Sequence, residues 1–249
     1  MYINMIFLEL VPRDLLLFVT ESKAFLDSFT NLTGINVPDI IQIKNRSYTS
    51  ANALLQHQIV AIPHIRTQDA SISEHLKIIS QLYDIGLRSL LLVSGDPIKE
   101  SLKPAFETTP VTLTSAIKNH FKDIKVYCAL DPYRQRFEQE CEYAKKKIAA
   151  GADGFFSQPF FDSTLLTLYL DAFKECDFFT GISPVMSEKS KKYWETVNKV
   201  VFPKEFSCDF SYNCNLAKEL LDITKYYKQH SYLMPIKCDV KSYLKCIFN

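Results

Sequence analysis

The feature that most constrains this chain is a repeated alternation. Short apolar runs are separated by longer amphipathic stretches, eight times over 249 residues. The runs are Met5–Leu10, Gly34–Val37, Ile59–His64, Ser89–Ser94, Lys125–Leu130, Gly154–Ser157, Phe178–Ile182 and Tyr232–Pro235. They are rich in β-branched or aromatic residues and mostly apolar rather than alternating, which suits strands of a parallel sheet covered on both faces. Helical patterns fall between them. Ser73–Tyr83 is one, with Ile72, Leu76, Ile79, Leu82 and Tyr83 on a single stripe. Gln135–Ala150 is charged on one side and stops at Gly151, a C-cap residue. Ser163–Glu175, Glu188–Val200 and Asn215–Lys228 follow. Eight units of about 31 residues predict an α/β fold, a (β/α)8 TIM barrel in which residues 1–249 make one domain. A doubly wound open sheet is the other architecture that strict alternation allows.

Composition excludes several classes of function. Hydrophobic residues are 47% and charged residues 23%, so the chain can bury a sizeable core. With 29 basic and 28 acidic residues the formal charge is +1, and no global field recruits nucleic acid or an anionic membrane. The N-terminal apolar run stops at Glu9, too short for a signal-peptide core, and no later run approaches a membrane span. A cytoplasmic location is therefore expected. The seven cysteines form no C-x-x-C and no zinc-spaced cluster, which predicts free thiols and no metal site. The six glycines complete neither G-x-G-x-x-G nor a P-loop, so a nucleotide must bind by another scaffold. Composition leaves open whether the chain forms a homo-oligomer.

Barrel proteins keep their sites at the C-terminal ends of the strands. There the chain places Glu9, then Asn36-Val37-Pro38-Asp39, His64 and Arg66 with Asp69 behind, Ser94-Gly95-Asp96-Pro97, Asp131-Pro132, Gln158-Pro159, Ser183-Pro184 and Lys237. Loops of this kind are polar in any barrel, so single members carry little weight. Glu9 differs because Phe7, Leu8, Leu10 and Val11 around it are all apolar. A carboxyl there loses solvation and must be paired or hold its proton to unusually high pH. The second outcome is what a general acid requires; the first is a structural ion pair. In Ser94-Gly95-Asp96-Pro97 the glycine allows close approach of a ligand to the backbone, although Gly-Asp-Pro is also ordinary turn chemistry.

Taken in order, these segments resemble the methylenetetrahydrofolate reductase family. Leu8-Glu9-Leu10-Val11-Pro12 is similar to its opening Phe-Glu-Phe-Phe-Pro-Pro strand, and Pro63-His64-Ile65-Arg66 to its Pro-His-Leu-Thr segment. Residues Gly86 to Asp96 resemble its Gly-Ile-Arg-Asn-Ile-Leu-Ala-Leu-Arg-Gly-Asp. Lys147 to Asp153, followed by Ser157-Gln158-Pro159-Phe160-Phe161-Asp162, resembles its most specific segment, and Thr180 to Pro184 its Pro-Gly-Ile-x-Pro. The resemblance implies a barrel that binds FAD non-covalently. NAD(P)H would reduce the flavin, and methylenetetrahydrofolate would then take the hydride on the same face, in ping-pong fashion, to give 5-methyltetrahydrofolate for methionine biosynthesis.

By the same resemblance, Glu9 is the acid that opens the folate's five-membered ring and Asp96 the carboxylate that stabilises the resulting cation. Gln158 hydrogen-bonds the pterin, and Phe161 and Trp194 (or its neighbour Tyr193) lie against the folate. His64, Ser94, Gly95, Asp96, Asp131 and Lys147 are the implied FAD contacts, Lys147 matching the pyrophosphate charge. The chain departs from the pattern at Ser94, where the family has arginine, at Asp131-Pro132-Tyr133, where it has Tyr-Pro-Glu-x-His, and at Pro38-Asp39, where it is threonine-rich. The departures at the flavin contacts motivate one alternative, a folate-binding member without flavin that reduces folate directly from NADH or serves a methyl-transfer partner; a non-catalytic barrel acting in a complex is a further reading.

Overall fold

The computed structural model describes residues 4–95 and 106–248. Eight strands close into one parallel barrel, each pairing with the next in sequence and the last with the first. They are β1 (Ile6–Glu9), β2 (Gly34–Val37), β3 (Ala61–Arg66), β4 (Ser89–Val93), β5 (Lys125–Leu130), β6 (Gly154–Pro159), β7 (Asp177–Ile182) and β8 (His230–Leu233). The helices are α1 (Leu15–Ser28), α2 (Ser47–Gln56), α3 (Ile72–Asp84), α4 (Pro110–His120), α5 (Phe137–Ala149), α6 (Ser163–Ala172), α7 (Glu188–Thr196), α8 (Phe210–Tyr226) and α9 (Val240–Phe248). The open-sheet alternative is excluded by the β1–β8 pairing of Ile6 with Ser231, Phe7 with Tyr232 and Leu8 with Leu233. Among the described residues no helix is long and apolar enough to cross a membrane, and no group of three or more His, Cys, Asp or Glu could hold a metal ion.

Three helices lack the stripe that sequence periodicity looks for. In α1, Leu16 and Leu17 point outward and are 78% and 61% exposed, while Ser22 is buried. In α2, Ser47 and Ser50 are buried beside Ala51 and Leu54. The Ser50 hydroxyl returns to the Arg46 carbonyl, so a polar residue sits inward at little cost. Helix α4 buries Thr114 in the same way, its hydroxyl donating to the Pro110 carbonyl at 2.6 Å. Two strands also sit two residues away from their apolar runs. β3 extends through Arg66, and β8 begins at His230, because the hydrogen-bonded register with β4 and β7 defines a strand and hydropathy does not.

Strand alternation divides the core into two shells. Phe7, Ile62, Leu91, Tyr127, Phe156, Phe179, Tyr232 and Met234 fill the barrel interior. Phe156 and Phe179 stack there at 4.0 Å and 7°. Their neighbours in each strand, such as Leu8, Ile35, Leu90, Val126 and Phe178, face the helices. A third cluster caps part of the C-terminal end, where Phe161 packs on Trp194 at 5.7 Å and on Phe202 at 4.7 Å.

Several residues of the matched segments do structural work. Asp153 accepts from the Val126 amide at 2.8 Å and pairs with Lys118 at 2.7 Å. Asp162 caps α6, accepting from the Leu165 amide at 2.8 Å. Gly151 follows α5 at φ +103°, the left-handed conformation expected of its C-cap position.

Candidate active site

Interior positions two residues beyond the packed rings reach the C-terminal mouth of the barrel, because side chains on one face recur every second residue. From Phe7 this gives Glu9, and from Ile62 it gives His64. Asn36 stands in register with Glu9 on β2. These three side chains and Tyr232 of β8 form one side of the mouth. Tyr232 donates its hydroxyl to Glu9 Oε2, and its ring lies edge-on to His64 with centroids 6.3 Å apart. Asn36 lies beside the same hydroxyl, close enough to affect its acidity but out of hydrogen-bonding geometry.

Glu9 makes no ion pair among the described residues, and loss of water governs its chemistry. Desolvation raises its pKa from 4.5 to about 7, and the Tyr232 hydrogen bond restrains that rise. Sequence reasoning held open a structural ion pair or a retained proton, and among the described residues no basic group pairs with Glu9. Burial also pushes His64 down to about 4, against a small opposing pull from Asp39, so its ring is neutral at physiological pH. His64 Nε2 and both polar atoms of the Asn36 amide are buried without a partner, as is the Ser183 hydroxyl at the end of β7. Buried polar atoms left unmet at a barrel mouth are hydrogen-bonding capacity that a bound molecule can satisfy.

Gln158 reaches the mouth through a local irregularity. The β6–β7 register shifts between Phe156 and Pro159. Ser157 turns its hydroxyl to the Gly181 amide at 2.8 Å, and Gln158 is left exposed with no partner among the described residues. A Cβ on Gly181 would lie 2.4 Å from the Ser157 carbonyl oxygen, so this close approach of β6 and β7 requires glycine.

The remaining expected contacts are less uniform. Asp96 lies outside the described residues. Ser94 is half-buried against the Tyr143 hydroxyl of α5. Gly95 adopts φ +90°, but the space its missing Cβ leaves is covered by the Arg66 guanidinium, 2.7 Å from where that carbon would stand. Asp131 folds back to accept from the Tyr133 amide at 2.9 Å, and burial raises its pKa. Lys147 is 2% exposed, beneath Tyr143, with Nζ donating to the Ala129 carbonyl at 2.6 Å. It therefore lies between α5 and β5, and a phosphate would have to displace that bond. Phe161 and Trp194 are packed on each other in the capping cluster, whereas Tyr193 is 54% exposed.

Two charge networks escaped sequence reasoning. Arg46 grips Asp39 through Nε at 2.8 Å and reaches Asp69 at 2.7 Å, and Asp69 also pairs with Arg66 at 3.3 Å. This chain of charges fixes the loops after β2 and β3. Glu140 of α5 is fully buried and takes Arg134 at 2.7 Å, Gln135 at 2.7 Å and the Asp131 amide at 3.2 Å, which fixes the loop after β5. A glutamate in a charged helix carries no sequence signal of burial. The Tyr232 contact had none either, since only the β1–β8 register places Tyr232 beside β1.

Fold and site define a (β/α)8 barrel with a proton-holding carboxyl and unmet polar groups at its C-terminal mouth. A profile of the methylenetetrahydrofolate reductase family matches residues 29–218, and the chain belongs to that family. The 5,10-methylenetetrahydrofolate reductase of Buchnera aphidicola subsp. Baizongia pistaciae is 27% identical over 158 residues, 61% of this chain and 53% of that one. The enzyme of the same name from Escherichia coli K12 is 26% identical over 148 residues, 57% of this chain and 50% of that one. The chain thus spans about half the length of the curated relatives it matches. Solved structures support the fold. A 2,3-dimethylmalate lyase aligns with TM-score 0.61 at 12% identity, covering 94% of this chain and 76% of that one. An oxaloacetate acetylhydrolase aligns with TM-score 0.60 at 11% identity, covering 92% and 75%.

Proposed function

We propose that this barrel, residues 1–249, is the catalytic domain of a reductase that converts methylenetetrahydrofolate to 5-methyltetrahydrofolate with electrons from NAD(P)H. Family membership supports the reaction class. The observation that carries the mechanism is Glu9, a carboxyl at the mouth whose pKa of about 7 keeps much of it protonated at neutral pH. Opening the substrate's five-membered ring needs a proton on the departing nitrogen, and a half-buried carboxylic acid that keeps its proton provides it. Gln158, exposed and unpartnered, offers the paired donor and acceptor that a pterin edge requires. Tyr193 is the exposed aromatic available to the folate, while Trp194 and Phe161 act by holding the wall behind it.

The unpartnered His64 Nε2 offers a bound flavin a hydrogen bond, and FAD is the cofactor in this reading. His64, Ser94, Gly95 and Asp131 would hold it, with Lys147 behind β5. When bound, FAD supplies the hydride relay between nicotinamide and folate. Arg66 lies over Gly95 and supplies a guanidinium at the mouth where Lys147 does not. His64, neutral throughout the physiological range, can donate or accept a hydrogen bond without adding charge.

One observation favours a second reading, direct transfer from the nicotinamide to the folate without flavin: the cation expected at the pyrophosphate is bonded to Ala129. The test is an absorption spectrum of the purified protein, before and after anaerobic NADH, followed by methylenetetrahydrofolate. Flavin bands that bleach and then recover support the first reading. Turnover with no flavin, even after incubation with FAD, supports the second. The absence of turnover in either state refutes the reductase.

A further inference from the structure

Tyr232 belongs to no matched segment, yet it makes the one hydrogen bond that Glu9 receives among the described residues. Its ring is 4% exposed and held on two sides. It meets Phe156 edge-on at 5.3 Å, with Phe156 stacked in turn on Phe179, and it meets His64 at 6.3 Å on the other side. The backbone is pinned too, because Phe7 and Tyr232 are register partners across the β1–β8 seam that closes the barrel. A phenol clamped in this way has its hydroxyl placed by the core, so the carboxyl adjusts to the tyrosine.

We propose that Tyr232 is the positioning residue of the acid: its hydroxyl engages Oε2 of Glu9 and leaves Oε1 as the oxygen that carries the transferable proton. This rests on the reading of Glu9 as the acid. Tyr232 donates because burial and the neighbouring carboxyl hold its own proton in place far beyond its usual range. The carboxyl has two oxygens, and the one that accepts the phenol proton is the carbonyl oxygen of the neutral acid. The groups facing this pair are Asn36 from β2, His64 from β3 and Phe156 from β6, none of them charged at neutral pH. The donated bond is stronger to a carboxylate than to a carboxylic acid, so Tyr232 also restrains the proton affinity that burial gives Glu9.

The test is Tyr232→Phe in the full chain, a change that removes one oxygen and keeps the ring. Glu9 is titrated by difference infrared spectroscopy, with Glu9→Gln identifying its carboxyl band, and no substrate is required. The expected result is a midpoint near 7 in the unchanged protein and one higher by about one to two pH units in Tyr232→Phe. Site-specific 3-fluorotyrosine at position 232, a stronger donor of nearly the same shape, should move the midpoint down. A midpoint near 7 that moves in neither variant overturns the proposal. A midpoint near 4.5 in the unchanged protein overturns the reading of Glu9 itself. With methylenetetrahydrofolate as substrate, the pH profile of turnover should move with the infrared midpoint.

Discussion

Replacing Glu9 with glutamine should make the protein more stable at alkaline pH and leave it nearly unchanged at pH 4.5. The carboxyl binds its proton more tightly in the folded chain, with a pKa of about 7 against 4.5. Between those values the folded state holds more protons than the unfolded state, so stability falls as pH rises. That difference corresponds to about 3 kcal/mol lost by pH 8, an upper bound because water at the mouth relaxes part of it. Glutamine has the same shape, keeps an acceptor for the Tyr232 hydroxyl and does not ionise, so Glu9→Gln escapes the loss. The assay is urea unfolding of both proteins at five pH values from 4.5 to 9. The stability difference should open in favour of the variant from about pH 5 and level off above 8. A difference that does not change with pH would refute the argument that burial without a counter-charge sets the state of Glu9. The same substitution should cost about 10²–10⁴-fold in reduction of methylenetetrahydrofolate, the usual size of a general-acid contribution. The acid would then be costly to the fold and required by the reaction.

Three further outcomes follow from particular contacts. Gly181→Ala should destabilise by about 1–3 kcal/mol and lower folate affinity together, because a Cβ 2.4 Å from the Ser157 carbonyl oxygen forces β6 out of the register that presents Gln158; urea unfolding and a ligand titration check both. Glu140→Ala should cost about 1–3 kcal/mol and loosen the loop after β5, which hydrogen exchange at the Asp131 and Tyr133 amides would show, since Arg134, Gln135 and the Asp131 amide all lose their acceptor. His64 should remain neutral down to about pH 5 by imidazole NMR, with its midpoint near 4. Its contribution to stability is complete above pH 6.5 and is lost as pH falls toward 4, and a midpoint near 6.5 would mean that water reaches the ring.

The amino-acid sequence determined the barrel, because eight buried parallel strands leave eight apolar runs that local hydropathy cannot hide. It also exposed Glu9, since a lone carboxylate among Phe7, Leu8, Leu10 and Val11 conflicts with its surroundings and local order is enough to show it. Helices α1, α2 and α4 were poorly legible for the opposite reason. Their inward faces carry Ser22, Ser47, Ser50 and Thr114, which read as polar, and Ser50 and Thr114 satisfy themselves on their own backbones. What only the tertiary structure decided is how the charges are used. The partner of Glu9 is Tyr232, 223 residues along the chain, and their meeting depends on barrel closure between β1 and β8. Lys147 reads as a cation for a phosphate, yet packing of α5 on β5 gives its ammonium to the Ala129 carbonyl. Arg66 reads as a loop charge, yet it ends β3, is buried against Gly95 and pairs with Asp69. Hydropathy is a property of each residue and survives in sequence. Desolvation and pairing depend on neighbours brought from distant strands, so the chemistry of Glu9, Lys147 and Arg66 was set only when the barrel closed.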